Sequence, residues 1–251
     1  MAEWRKNMKR VKLIVAYDGT NYHGWQTQPN AVTIEEVLNH HLSELLKEEI
    51  KVIGASRTDA GVHALGNVAV FDTSARMPAD KISYALNTRL PEDIRIQDSC
   101  EVPSDFHPRF QKTTKTYEYR ILNRRFPDPT RRLNSFFYYY PLDVVKMQEA
   151  SLYLVGEHDF KSFCTEKPEV TNTVRTIYSL NVIKEGDMII IRVTGNGFLY
   201  NMVRIIAGTL IRVGGGFIEP QQIKKILEAK DRTLAGETAR PEGLTLIGIR
   251  Y

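Results

Sequence analysis

Strand-length apolar runs in this chain are joined by connections too short to hold a helix, and no other feature limits its architecture as much. Residues 174–183 and 188–194 bracket only Lys184, Glu185, Gly186 and Asp187, a hairpin-length turn. Residues 50–55 and 67–73 read as two further strands around a polar turn. Adjacent parallel strands need a crossover of about a dozen residues or more. Steady β-α-β alternation is missing, so a mostly antiparallel sheet faced by helices is expected, an α+β architecture.

Further strands are expected over Lys9–Tyr17, 94–102, 112–122, 135–140 and 244–250, where branched and aromatic residues concentrate. Helices are marked by their caps and their period. Thr33 and Glu36 form a capping box ahead of Ile34, Val37, Leu38, Leu42, Leu45 and Leu46, which predicts a helix over 34–47. A second is expected over 78–90 with Pro78 at its start, and a third over 143–155 with Asp143 as N-cap. The apolar period of Leu199, Met202, Val203, Ile206 and Leu210 predicts a helix over 198–213, ended by Gly214, Gly215 and Gly216. A short helix is expected over 220–230. Residues 103–108 are a plausible seam, dividing the chain into similar mixed halves, 1–103 and 104–251.

A chain of 251 residues with 42% hydrophobic and 25% charged residues is ordinary for a globular protein. At this length about 70–75% of the unfolded surface is buried, enough to hold a polar site inside a core. No apolar run approaches the roughly 18–20 residues that cross a bilayer. The charged N-terminus does not read as a secretion signal. Two cysteines, Cys100 and Cys164, make neither a disulfide framework nor a metal cluster, and the cytoplasm is the expected compartment. Cys164 reads as a small buried apolar residue.

Net charge is +4, a weak pointer to a polyanionic partner. Its distribution says more. Arg120, Arg124, Arg125, Arg131 and Arg132 are interleaved with Phe126, Phe136, Phe137 and Tyr138. That mixture suits phosphate contacts plus base stacking. It equally suits a solvated loop beside a buried aromatic strand.

The densest polar cluster runs from Gly54 to Ala64 between two apolar strands. Arg57 stands two residues before Asp59 and can hold its carboxylate by a charge-assisted hydrogen bond. Gly61 frees the backbone for a tight turn. Such a turn can present one carboxylate to a ligand. It can also be an ordinary β-turn in which Thr58 and Asp59 satisfy the backbone, and on residue chemistry alone that reading has the edge. Other chemistries find little support. Neither a GxGxxG nor a GxxxxGK[ST] loop is present, so nucleotide cofactors are not expected. His40 and His41 are helix neighbours that should point different ways, so no histidine pair has metal spacing. There is no G-x-S-x-G elbow.

The segment Arg57-Thr58-Asp59-Ala60-Gly61-Val62-His63-Ala64 resembles the catalytic signature of the bacterial tRNA pseudouridine synthase A family. Six other regions resemble the family in its order. They are Tyr17-Asp18-Gly19-Thr20 with Gly24-Trp25-Gln26, Phe106-His107-Pro108-Arg109-Phe110, Lys115-Thr116-Tyr117-Glu118-Tyr119-Arg120, Gly156-Glu157-His158-Asp159-Phe160 with Ser162-Phe163, Gly195 through Arg204, and Pro241-Glu242-Gly243-Leu244. The likeness runs from about residue 10 to the C-terminus. Pro108 and Asn67 depart from the family, which often has Ala and Gln there.

The resemblance implies the pseudouridine synthase fold, with the two halves sharing one active-site cleft. It implies isomerisation of uridine to pseudouridine at positions 38, 39 and 40 of the tRNA anticodon stem-loop. The N-glycosidic bond breaks, the uracil turns over, and its carbon 5 bonds to the ribose. Nothing is added or lost, so no cofactor or metal is implied. Asp59 matches the catalytic aspartate, as nucleophile or base. Tyr117 matches the tyrosine that stacks on the target base, Arg204 the arginine paired with the aspartate, and Arg57 the one that assists extrusion of the uridine. A homodimer is also implied.

These roles fit elementary energetics. A uridine in a stem must leave the stack, at a cost of a few kcal/mol, and an aromatic face returns about 1–3 kcal/mol per base. Guanidinium neighbours favour an ionised carboxylate. Arg204 on a largely apolar helix needs a carboxylate partner or a path along the helix to solvent. Trp25, Gln26, His63, His107, Arg109 and Leu199 are the expected substrate contacts, although Trp25 equally suits the core and His107 and Arg109 suit a structural ion pair. Two alternatives stand beside this reading: a pseudouridine synthase acting on another RNA, and a non-catalytic RNA-binding module.

Overall fold

The computed structural model describes residues 8–165 and 172–251. Residues 1–7, most of the N-terminal stretch read above for a secretion signal, lie outside the described residues. In chain order the elements are β1 (Lys9–Tyr17), α1 (Ile34–Leu46), β2 (Ile53–Gly54), β3 (His63–Thr73), α2 (Ala79–Asn87), β4 (Ile94–Val102), β5 (Thr114–Asn123), β6 (Phe136–Tyr138), α3 (Val144–Leu152), β7 (Gly156–Asp159), β8 (Val174–Glu185), β9 (Met188–Gly195), α4 (Met202–Gly214), α5 (Gln222–Ala229) and β10 (Leu244–Arg250). The chain divides into two compact units. One runs to Lys112 and takes in Leu246–Ile249 and Tyr251; the other holds Thr113–Thr245 and Arg250. Both are mixed α+β with mostly antiparallel strands.

In the first unit β1 lies between β4 and β3, antiparallel to each, and β2 adds two residues to β3. Val11, Leu13, Val15 and Tyr17 of β1 alternate into the core, the period-2 signature of a strand with one buried face. β3 is buried almost throughout, with Val68, Ala69, Val70 and Phe71 in succession. β4 contains an irregularity that its sequence hides: Ile14 pairs with Asp98 but Val15 with Ile96. The extra residue is Gln97. It shifts the inward phase, so that Ile94 and Ile96 are buried before it and Ser99 after it. The side chain of Asn87, the last residue of α2, restores the ladder there. It donates to the Ile96 carbonyl and accepts from the Ile96 amide, both at 2.8 Å.

Thr33 caps α1 by accepting from the Glu36 amide, and Ile34, Leu38, Leu42 and Leu46 form its buried stripe. Lys47 ends it in the left-handed region at φ 59°. The strand expected over 50–55 shrinks to Ile53–Gly54. The amides of Ile50 and Val52 donate instead to Ser43 Oγ and Asn39 Oδ1 of α1, so side chains take the bonds a partner strand would have made.

In the second unit β5, β9, β8 and β7 follow in that order, with β6 parallel to β5. β7 was not foreseen, because Gly156, Glu157, His158 and Asp159 carry no apolar alternation. α4 is buried on nearly all sides, the mark of a core helix. It begins at Met202 rather than at the expected residue 198. Asn201 sits at φ 61°, a left-handed conformation that no helix passes through. Phe198 to Tyr200 therefore form a turn ahead of it. Across α4 the segment 235–239 lies close enough that a Cβ on Gly208 would meet the Glu237 carbonyl oxygen at 1.9 Å.

Glu118 of β5 is buried at 3% exposure. It accepts from Arg120 at 3.0 Å and from Arg192, its cross-strand partner on β9, at 2.8 Å through Nε. Burial pushes its carboxyl up, and bonds from Arg192 and Arg120 outweigh that, holding it below the usual carboxylate range. A carboxylate depressed by folding stabilises the fold above its unfolded pKa and loses that contribution as pH falls through the folded value.

Two expectations follow from these contacts. Gly208→Ala, which gains about 1 kcal/mol in an open helix, is expected here to destabilise by about 1–3 kcal/mol through overpacking, read from urea denaturation. Glu118→Gln is expected to cost about 2 kcal/mol at neutral pH through a lost charge-assisted bond. In melting experiments its gap from the unsubstituted protein should narrow as pH falls below 4.5, the ordinary value for this group.

Candidate active site

The polar loop between β2 and β3 is fixed by the loop that follows β1. The Trp25 amide donates to the Thr58 carbonyl at 3.1 Å, and the Gly61 amide to the Tyr22 carbonyl at 3.2 Å. The turn closes on itself through Val62 N–H to Asp59 O at 3.1 Å. Gly61 has φ 74°, as its place in the turn requires. The two loops touch backbone to backbone. A Cβ on Gly19 would meet Val62 O at 2.0 Å, and one on Gly24, which also has φ 88°, would meet Thr58 O at 2.5 Å. Asp59 is half-buried at the turn, and Arg57 and Ala60 beside it are exposed.

Side chains tighten the same loop from below. The Tyr17 hydroxyl lies 2.8 Å from Thr58 Oγ1, and Asn67 Nδ2 donates to the Ser56 carbonyl at 3.0 Å. His63 Nδ1 lies 3.1 Å from the Gly19 amide nitrogen and 3.0 Å from Asp18 Oδ1. Burial pushes the Asp18 carboxyl up, but the Thr20 hydroxyl and amide and the His63 ring together hold it below the usual range. His63 is 7% exposed, and its Nδ1 faces Gly19 and Asp18 of the loop after β1. Trp25 corrects the expectation of a groove residue: it is 0% exposed. Its indole lies under Gly54, where an added Cβ would come within 2.3 Å of the ring. Gln26 next to it is exposed.

Arg109 Nε donates to the Gly54 carbonyl at 2.7 Å, which ties the segment after β4 to the start of the polar loop. Burial lowers its guanidinium pKa, the nearby Arg57 lowers it further, and Glu35 opposes both. Arg109 is thus bonded to the same loop that carries Arg57 and Asp59. His107 Nδ1 accepts from the Arg109 amide at 3.1 Å, and its ring stacks on Phe110 with centroids 4.1 Å apart and planes 20° apart. Phe110, the last residue of the Phe106–Phe110 motif and not among the expected substrate contacts, is 83% exposed, a flat apolar surface. Its large apolar ring between polar neighbours was the available signal.

The remaining expected residues belong to the second unit. Tyr117, on β5, is 7% exposed and meets Phe198 edge to face, with centroids 5.3 Å apart. Leu199 is 7% exposed in the turn before α4, where its amide approaches Met202 Sδ at 3.5 Å. Arg204 lies in the first turn of α4. Its Nε donates to the Ala239 carbonyl at 2.7 Å and its Nη1 to Asn201 Oδ1 at 3.0 Å. These bonds orient the guanidinium from two sides. The Arg120 to Arg132 stretch lines two open cavities of about 440 and 520 Å³, and its charges are largely matched there, Arg124 with Asp187 at 3.5 Å and Arg131 with Asp128 at 3.7 Å.

His40 and His41 depart from the expectation that helix neighbours diverge. Glu44 stands four residues from one and three from the other, and both rings come within 3.9 Å of its carboxylate. Among the described residues Cys164 is buried and both cysteines are free thiols, and no helix is long and apolar enough to cross a membrane.

Comparison with known proteins bears on what this arrangement serves. The family model described as tRNA pseudouridine synthase matches residues 13–111 and 150–251. Curated relatives called tRNA pseudouridine synthase A share 50% identity in Thermoanaerobacter sp. (strain X514), over 97% of this chain and 100% of the relative. One from Ruminiclostridium cellulolyticum is also 50% identical, over 97% and 100%. One from Exiguobacterium sibiricum is 48% identical, over 97% of each. Among solved structures an archaeal box H/ACA sRNP Nop10-Cbf5 complex shares 13% identity at a TM-score of 0.31, covering 94% of this chain and 46% of that one, a likeness too remote to bear weight. With half its residues identical to relatives along nearly their whole length, this chain belongs to the tRNA pseudouridine synthase family.

Proposed function

We propose that this chain isomerises uridine to pseudouridine in tRNA, at positions 38, 39 and 40 of the anticodon stem-loop, with Asp59 as nucleophile or base. Tyr117 stacks on the extruded base, Arg204 pairs with the carboxylate and Arg57 assists extrusion. The reaction breaks the bond from ribose carbon 1′ to N1 of uracil, remakes it to carbon 5, and transfers the displaced proton, so atoms balance without a cofactor. It takes place in the cytoplasm on a homodimer.

One observation carries this reading beyond family membership. The Asp59 turn is held by backbone bonds on both flanks, from Trp25 and Gly61. Reaction at a flipped nucleotide rewards such preorganisation, because holding a reacting group in place removes entropy from the barrier. The surroundings suit an RNA ligand. Arg57 is exposed within the loop and Arg109 is bonded to it at Gly54, and the exposed Phe110 ring stacked on His107 offers a face for a base. Gln26 and Leu199 remain expected contacts. Trp25 and His63 support the loop from within.

Asp59→Asn and Asp59→Ala should abolish pseudouridine formation in anticodon stem-loop RNA, scored by mass-shift labelling of the product; turnover in either variant ends the proposal. Arg57→Ala and Arg109→Ala should weaken RNA binding. If each removes one phosphate contact, the slope of log K against log salt falls by about 0.7–0.9 per arginine. An unchanged slope in both would exclude them as phosphate contacts.

A further inference from the structure

Tyr17, Thr58 and Asn67 form a dry polar chain directly under the aspartate turn. Tyr17 is 5% exposed, Thr58 7% and Asn67 0%. Asn67 Oδ1 accepts from the Val68 amide at 3.0 Å, which fixes the orientation of its side-chain amide. Asn67 Nδ2 then donates to the Ser56 carbonyl at 3.0 Å and to the Tyr17 hydroxyl at 3.3 Å. That nitrogen only donates, so the Tyr17 oxygen accepts there, and the same hydroxyl shares a hydrogen bond with Thr58 Oγ1, 2.8 Å away.

We infer that Tyr17 and Asn67 are positioning residues for Asp59, acting through the hydroxyl of Thr58. The inference rests on the reading of Asp59 as the catalytic carboxylate. Residue 58 is held twice, by its carbonyl to the Trp25 amide at 3.1 Å and by its hydroxyl to Tyr17. Fixing both sides of the residue before Asp59 fixes the peptide plane from which the Asp59 side chain departs. Water-excluded hydrogen bonds of this kind are strong when complete and costly when broken.

The strands are shaped for this contact. Val15 pairs with Asn67, but Tyr17 pairs with Ala64, so β3 carries one extra residue at this point. A regular ladder would place Leu65 opposite Tyr17. Instead Leu65 is 56% exposed and the phenol meets Asn67 and Thr58. Bulges re-aim side chains and are over-represented next to active sites. A network serving the core alone could be replaced by apolar groups of the same shape at little cost. A network that aims a carboxylate could not.

The test is kcat and KM on anticodon stem-loop RNA, with folding followed by thermal melting. Tyr17→Phe and Thr58→Val should each lower kcat by about 10- to 100-fold, the loss expected from a misplaced reacting group, while KM stays near that of the unsubstituted protein. Thr58→Ser, which keeps the hydroxyl, should recover most of the rate. The double variant should be no slower than the slower single one, because the two changes break one contact. Thr58→Val leaves the buried ring intact and carries the test should Tyr17→Phe melt below the assay temperature. Asp59→Ala separates the two claims. If it retains turnover, the catalytic reading of Asp59 fails. If it is inactive while Tyr17→Phe and Thr58→Val turn over normally, or lose only in KM, the positioning role fails alone.

Discussion

The backbone contact between the loop after β1 and the turn at Asp59 is the constraint on which the first unit is arranged. It is possible only because residues 19 and 24 carry no side chain: a Cβ at either would lie 2.0 or 2.5 Å from a carbonyl oxygen of the turn. Two flexible loops are thereby made into one rigid object without any regular secondary structure of their own. The conformational entropy surrendered is offset locally, by the amide bonds of Trp25 and Gly61 and by the burial of Trp25 beneath Gly54. Removing a core aromatic of this size typically costs about 3–5 kcal/mol. Trp25 is therefore a foundation of the site rather than a wall of it.

The second unit solves a different problem with charge. Glu118 is buried although Tyr117 and Tyr119 on either side of it in β5 are buried too, so strand alternation does not account for its burial, and its ionised form persists because Arg192 and Arg120 supply bonds from half-exposed positions. The desolvation of one buried carboxylate is thus met by two guanidinium groups that keep much of their own hydration. On the neighbouring helix the reverse holds. Arg204 is a charged residue in a largely apolar element, and carbonyl and amide oxygens at Ala239 and Asn201 orient it. Helix α4 begins where Asn201 turns left-handed, so the start of the helix and the amide oxygen that holds Arg204 come from one residue.

Much of this was legible in the order of residues. The concentration of branched and apolar residues placed β1, β4 and β10 with their observed ends, because it is a local property of the chain. The capping box at Thr33 and the N-cap at Asp143 marked helix starts for the same reason. The aspartate turn was visible as a polar cluster between apolar runs, and the order of the motifs pointed to the family. Where reading by period failed, a contact from elsewhere had intervened. Side chains of α1 took the amides of residues 50 and 52, and a left-handed asparagine cut four residues from the front of α4.

The residues alone therefore determined the α+β class, most element positions and the family, which depend on local patterns and on the order of short motifs along the chain. Tertiary structure decided what each polar or aromatic residue does. Trp25 became core because Gly54 leaves room for an indole some thirty residues away. Asn67 became part of a network under Asp59 because it stands opposite Val15, on the face from which Tyr17 reaches it and Thr58. Such roles are set by distances between atoms remote in sequence, and no local pattern encodes them.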